Sequence, residues 1–180
     1  LEQILSENSH IFVLGGARSG KSVFAENLAL GFGEVNSSKC IYLATSQVWD
    51  DEMRARVDLH KERRSAQWDT IEVPLELPKA LFEHSEKGCA ILVDCLTLWL
   101  TNLMMDEQNI DAAGDELIKA ISSISAPIIF VSNEVGQGIV PDNKMARDFR
   151  DHAGILNQKL AAVVDEVYFI TAGLPKKLKG

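Results

Sequence analysis

Three cysteines in 180 residues are too few for a disulfide framework, and Cys40, Cys89 and Cys95 form no CxxC pair. A disulfide-stapled secreted domain is thereby excluded, and the three read as reduced thiols of a cytoplasmic protein. Basic charge is also scarce. Against 26 acidic residues stand 18 Lys and Arg, for a formal net charge of -8. Phosphate backbones are gripped mainly by clustered cations, so no nucleic-acid partner is expected. No apolar run is long enough to cross a bilayer, and the most apolar stretch, AILVDCLTLWL, is interrupted by Asp94. LEQILSENSH has neither the basic start nor the continuous apolar stretch of a secretory signal. Residues 1–10 are therefore expected to be an extension, with 11–180 as a single domain of a length that buries a sizeable core. Internal repeats, low-complexity segments and linkers are missing too.

What is present is alternation. IFVL (11–14), CIYLAT (40–45), TIEV (70–73), AILVD (90–94), PIIFVSN (127–133) and EVYFITA (166–172) read as strands. Their runs are continuously apolar, as in strands covered by helices on both faces. Helical patterns occupy 21–31, 50–64, 76–86, 96–105, 111–123 and 141–164, with Pro141 suited to a first helical turn. The order predicts an α/β fold with a mostly parallel central sheet, whose ligands gather outside the carboxyl ends of the strands.

One segment fixes the ligand class. Gly15, Gly16, Ala17, Arg18, Ser19, Gly20, Lys21 and Ser22 spell G-x-x-x-x-G-K-S directly after the first strand and at the opening of a helix. Glycines let successive N–H groups turn inward around phosphate oxygens, and the helix N-terminus adds partial positive charge. Lys21 is expected to reach the β- and γ-phosphates, and the Ser22 hydroxyl to ligate Mg²⁺. The chain is thus expected to be P-loop NTPase-like. Asp94, at the end of ILVD, is placed where a metal-associated carboxylate belongs; capping the next helix is the weaker alternative, and both roles are compatible. A GTPase switch is disfavoured: Asp94 is followed by Cys-Leu-Thr rather than xxG, and NKMA at Asn143 lacks the acid of NKxD. A small-molecule kinase or transferase suits the size better.

Two further segments carry possible chemistry. In DDEMRARVDLHKERR, helical spacing puts Met53, Val57, His60 and Arg64 on one stripe. His60 is either a half-buried histidine on a charged helix or a nucleophile for a nucleotide's α-phosphorus, with neighbouring Arg and Lys neutralising phosphoryl charge. SNEVGQGIVP follows the fifth strand and so lies on the ligand-binding edge, where Asn133 and Glu134 offer polar groups. Arg147 and Arg150 read as an exposed basic face, with phosphate contacts the weaker alternative.

Taken together, GGARSGKS, YLATS, DDEMRARVDLHKERR with Trp68, LVDCLTLWLTNLM and SNEVGQGIVPDNKMARDFRDHAGILNQKLA resemble the bifunctional adenosylcobinamide kinase and adenosylcobinamide-phosphate guanylyltransferase family, from Ile11 to about Lys179. The resemblance implies two reactions. ATP or GTP phosphorylates the aminopropanol hydroxyl of the corrinoid, and GMP from GTP then passes through a histidine to the new phosphate. It implies His60, four residues after Arg56, as that histidine, with Lys21 also catalytic. It further implies nucleotide contacts from Gly15 to Ser22, at Ala44, Thr45 and Ser46, at Lys61, Glu62, Arg63 and Arg64, and at Glu72 and Asp94. Mg²⁺ on Ser22 and Asp94, and a homotrimeric assembly, belong to the same set of expectations. The SNEVGQGIVP loop is expected either to position the corrinoid side chain or to pack between subunits. An enzyme with one activity only, or a GTP-binding regulator without turnover, are the competing readings.

Overall fold

The structure, a computed structural model, describes residues 9–47, 67–85 and 89–180. Seven strands form one sheet: β1 (His10–Gly15), β2 (Cys40–Ala44), β3 (Trp68–Glu72), β4 (Ile91–Asp94), β5 (Ile128–Asn133), β6 (Glu166–Thr171) and β7 (Leu174–Lys179), in the spatial order β3-β2-β4-β5-β1-β6-β7. All neighbours run parallel except β6 and β7. The described helices are α1 (Lys21–Asn36), α2 (Leu77–Glu83), α3 (Leu96–Met105), α4 (Ile110–Ser122) and α5 (Lys144–Val163).

Side chains alternate between the two faces of the sheet, and two cores result. Ile11, Val13, Tyr42, Leu92, Ile129 and Val131 pack under Ala25, Ala29 and Phe32 of α1. Phe12, Leu43, Val93, Ile128 and Phe130 pack on the opposite face against α2, α3, α4 and α5. β1, β4 and β5 are covered on both faces, which explains why their sequences read as unbroken apolar runs.

Several boundaries differ from the sequence expectation. β1 starts at His10, before the apolar run, because a clasp with the start of β6 extends the ladder. The His10 N–H donates to Asp165 Oδ2 at 2.7 Å, and the Asp165 N–H donates to the His10 carbonyl at 2.9 Å. Pro141 does not enter a helical turn. α5 begins three residues later, capped by Asn143, whose side chain accepts from the Ala146 N–H at 2.8 Å. The expected strand pattern stops at residue 172, yet the chain reverses over Ala172 (φ 51) and Gly173 (φ 78) and returns as the exposed strand β7. Lys176, Lys177, Lys179 and Pro175 masked it, since these are residues that protect an edge strand from further pairing. The helix expected over 50–64 lies outside the described residues.

Candidate active site

β1 delivers the chain into the glycine-rich loop, and α1 carries it away. At Gly15 a side chain is impossible, because a Cβ would come within 2.7 Å of the Ile170 carbonyl oxygen and 2.5 Å of Ser19 Oγ. Gly20 sits at φ +97, and a Cβ there would lie 3.1 Å from Gly173 Cα in the β6–β7 turn. That turn also donates the Gly173 N–H to the Ser19 carbonyl at 2.8 Å, so the hairpin braces the back of the loop. At Gly16 an added Cβ would meet open space, which leaves the backbone approachable by a ligand. Ala17 and Arg18 form the exposed tip, with Arg18 at φ 55. Lys21, the first residue of α1, is 9% exposed, and its ammonium donates to the Gly16 carbonyl at 3.2 Å, so it is held over its own loop. Ser22 is half-buried beside it, and Ser19 Oγ is buried with no partner among the described residues. Backbone N–H groups, a helix N-terminus, a lysine and an unpaired hydroxyl suit a polyphosphate.

The neighbouring strands bring their carboxyl ends to the same place. Ala44 pairs in register with Glu72 on one side and with Asp94 on the other. By alternation all three share the face of Tyr42 and Leu92, which is the face covered by α1. Tyr42 donates its hydroxyl to Asp94 Oδ2 at 2.8 Å, a diagonal contact between adjacent strands that fixes the carboxylate. Thr45 is fully buried and doubly tied. Its Oγ1 donates to the Cys95 carbonyl at 2.7 Å and accepts from the Cys95 N–H at 2.8 Å. Asn102 Nδ2 on α3 donates to the Thr45 carbonyl at 2.7 Å and to the Pro74 carbonyl at 2.9 Å, so one side chain ties the exits of β2 and β3 together. Ser46 follows, half-buried, and Glu72 is exposed at the end of β3. The Ser22 hydroxyl and Asp94 carboxylate are hard oxygen donors of the kind Mg²⁺ prefers.

Cys95 is no nucleophile here: burial, reinforced by the adjacent Asp94 carboxylate, pushes its thiol up to about 12. Arg147 reaches inward rather than presenting a basic face. Its guanidinium donates to the Pro141 carbonyl at 3.0 Å and the Asp142 carbonyl at 2.6 Å, securing the end of the SNEVGQGIVP loop. Arg150 pairs with Asp151 at 3.5 Å. In that loop Glu134 Oε1 accepts from the Gly136 N–H, while Ile139, 97% exposed, projects outward together with Val140.

The structure sets Ala44, Glu72 and Asp94 in register at the carboxyl ends of β2, β3 and β4, with Thr45 and Ser46 following, on the same sheet edge from which the Gly15–Ser22 loop leaves β1. Glu72, on the edge strand β3, stands four strands from β1. His60, Lys61, Glu62, Arg63 and Arg64, with Arg56, lie outside the described residues. Tyr42 and Asn102 were not evident as site residues. The one signal for Asn102 is an amide in the otherwise apolar helix LTLWLTNLMM; Tyr42 looks like any buried aromatic until β2 is placed beside β4.

Among the described residues no helix is long and apolar enough to cross a membrane. Residues 11–178 match the profile of the CobU family, described as cobinamide kinase / cobinamide phosphate guanyltransferase. The bifunctional adenosylcobalamin biosynthesis protein CobP of Pseudomonas aeruginosa is 46% identical over 93% of this chain and 96% of its own. CobU of Escherichia coli, which bears the same description, is 40% identical over 94% of this chain and 99% of its own. The flagellar accessory protein FlaH of Methanocaldococcus jannaschii superposes with a TM-score of 0.55, covering 97% of this chain and 80% of that one. At 19% identity it shares the fold alone.

Proposed function

The chain belongs to the cobinamide kinase / cobinamide phosphate guanyltransferase family of enzymes, and from that premise we propose that its one loop-and-strand-end site serves two successive reactions in adenosylcobalamin biosynthesis. In the first, the aminopropanol hydroxyl of adenosylcobinamide attacks the γ-phosphorus of ATP or GTP. The new O–P bond forms as the bond to the β,γ-bridging oxygen breaks, and the nucleoside diphosphate leaves with the electron pair. In the second, a neutral His60 nitrogen attacks the α-phosphorus of GTP, pyrophosphate departs, and a P–N bond holds GMP. A phosphate oxygen of the corrinoid then attacks the same phosphorus, the P–N bond breaks, and adenosylcobinamide-GDP is released.

The observation that carries this reading is the convergence of the glycine cradle, Lys21, Ser22, Asp94 and Glu72 at one edge of the sheet. Loop N–H groups and Lys21 neutralise charge on the transferred phosphoryl group, and Lys61, Arg63 and Arg64 add to this in the guanylyl step. Ser22 and Asp94 would hold Mg²⁺, which supplies electrostatic stabilisation to the phosphates. Glu62, Ala44 and Ser46 complete the nucleotide contacts. Thr45, fully buried with its hydroxyl and both backbone groups engaged by Cys95, Asp94 and Asn102, positions the strand ends instead of touching the nucleotide. The enzyme works as a cytoplasmic homotrimer, a reading supported by the family membership and by the exposed apolar Ile139 and Val140.

The test is labelling with GTP carrying radioactive α-phosphate in the presence of Mg²⁺. The denatured protein should retain label that survives alkali and is lost in acid, as a phosphoramidate does. His60→Ala should abolish that label yet still phosphorylate cobinamide. An unlabelled wild-type chain would sink the covalent transfer, and label kept in the variant would remove His60 from it.

A further inference from the structure

Asn133 closes β5, opposite Gly15 in the β1–β5 register. β5 runs two residues beyond the pairing of Val131 with Asp94, so Asn133 stands diagonally above that carboxylate. Alternation sets its direction. Val131 belongs to the core under α1, whereas Ser132 turns to the other face, where its Oγ lies 3.3 Å from Thr97 Oγ1. Asn133 therefore returns to the α1 face, between the glycine loop and Asp94. Its backbone is pinned there, because the Asn133 N–H donates to Thr97 Oγ1 at 2.7 Å. The next residue is fixed too, with the Glu134 N–H donating to the Gly15 carbonyl at 3.1 Å. In this rigid setting Asn133 Oδ1 is buried and has no donor among the described residues.

A buried carbonyl oxygen without a donor costs of order 1–3 kcal/mol, so its persistence at a ligand edge points to a ligand group. That group must donate. Phosphate oxygens only accept, and the Lys21 ammonium, turned to the Gly16 carbonyl, makes no hydrogen bond to Asn133 Oδ1. Of the reactants in the phosphoryl transfer described above, the attacking alcohol carries an O–H. We infer that Asn133 Oδ1 accepts the hydrogen bond of the acceptor hydroxyl and so aims its oxygen lone pair at the γ-phosphorus. The inference rests on the proposed kinase reaction and adds a catalytic residue to it. A neutral amide does not remove the proton. As the O–P bond forms and the diphosphate leaves with the bond electrons, the proton passes to the transferred phosphoryl oxygens or to solvent. Because phosphoryl transfer depends on alignment more than on basicity, an orienting acceptor is the kind of help it needs.

The experiment compares two fates of the γ-phosphoryl group of ATP, transfer to cobinamide and hydrolysis by water, in the full-length enzyme. Asn133→Ala should lower kcat/KM for transfer to cobinamide by about 30-fold while hydrolysis without acceptor changes less than about threefold, with nucleotide Kd unaltered. If the alanine variant does not fold, Asn133→Ser draws the oxygen back by a bond length and should show the same split. Equal losses of transfer and hydrolysis would place Asn133 on the metal or on folding and overturn the inference. So would a weakened nucleotide Kd, which would mean that the amide nitrogen faces phosphate, and so would an unchanged transfer rate. A wild-type enzyme that does not phosphorylate cobinamide would instead overturn the kinase reading itself.

Discussion

Asp94 is useful only if its carboxylate points one way, and the group that points it lies 52 residues earlier in the chain. Tyr42 also packs its ring edge-on against Trp68, with centroids 5.6 Å apart, so removing the hydroxyl leaves the ring anchored. Tyr42→Phe is therefore expected to lower stability by only about 1 kcal/mol. It should raise the Mg²⁺ concentration for half-maximal kinase activity by on the order of tenfold, as loss of a partner behind a metal ligand does. Thermal unfolding and a Mg²⁺ titration of activity check the two halves. An unchanged Mg²⁺ requirement would reduce Tyr42 to a core residue.

The least expected element is the hairpin β6–β7. Its two turn residues both have positive φ, the arrangement of a type I′ turn, which favours Asn-Gly; here the first position is Ala172. An alanine in the left-handed region costs about 1 kcal/mol, so Ala172→Asn should stabilise the protein by roughly 0.5–1 kcal/mol, read as an increase in urea midpoint. The consequence reaches the site, because Gly173 donates to the Ser19 carbonyl and lies against Gly20. A turn that forms more firmly should hold the glycine loop more firmly, with nucleotide affinity kept or improved. A fall in nucleotide affinity would show that the loop needs the hairpin to yield.

Across the whole molecule, two thiols tie stability to alkaline pH. Burial raises Cys40 to about 11 and Cys95 to about 12, against an ordinary 9.0. Both are neutral in the fold, whereas above pH 9 the unfolded chain ionises and binds fewer protons than the native one. Stability must then fall as pH rises, by at most about 1.4 kcal/mol per pH unit for each thiol. For Cys40 the decline continues to about pH 11 and for Cys95 to about pH 12. Urea unfolding at pH 8, 9 and 10 should show the decline, and Cys40→Ala should make it shallower. An equal slope in the variant would mean that Cys40 ionises within the fold.

The primary structure by itself determined the parallel α/β sheet and the phosphate cradle. Both rest on short-range physics: unbroken apolar runs require cover on both faces, and GGARSGKS carries its turn and its helix start within eight residues. What lies at the other strand ends needed the tertiary structure. Glu72 looks like a solvated strand acid until the order β3-β2-β4-β5-β1 sets the strand ends side by side, and Asn102 like a stray amide until α3 packs it against the exits of β2 and β3. Asn133 was legible as a polar group at the ligand edge, but not its unpaired oxygen. Strand order depends on how helices cover the sheet and not on any local pattern. The cradle could therefore be read from the chain, whereas its partners emerged only when distant segments were packed together.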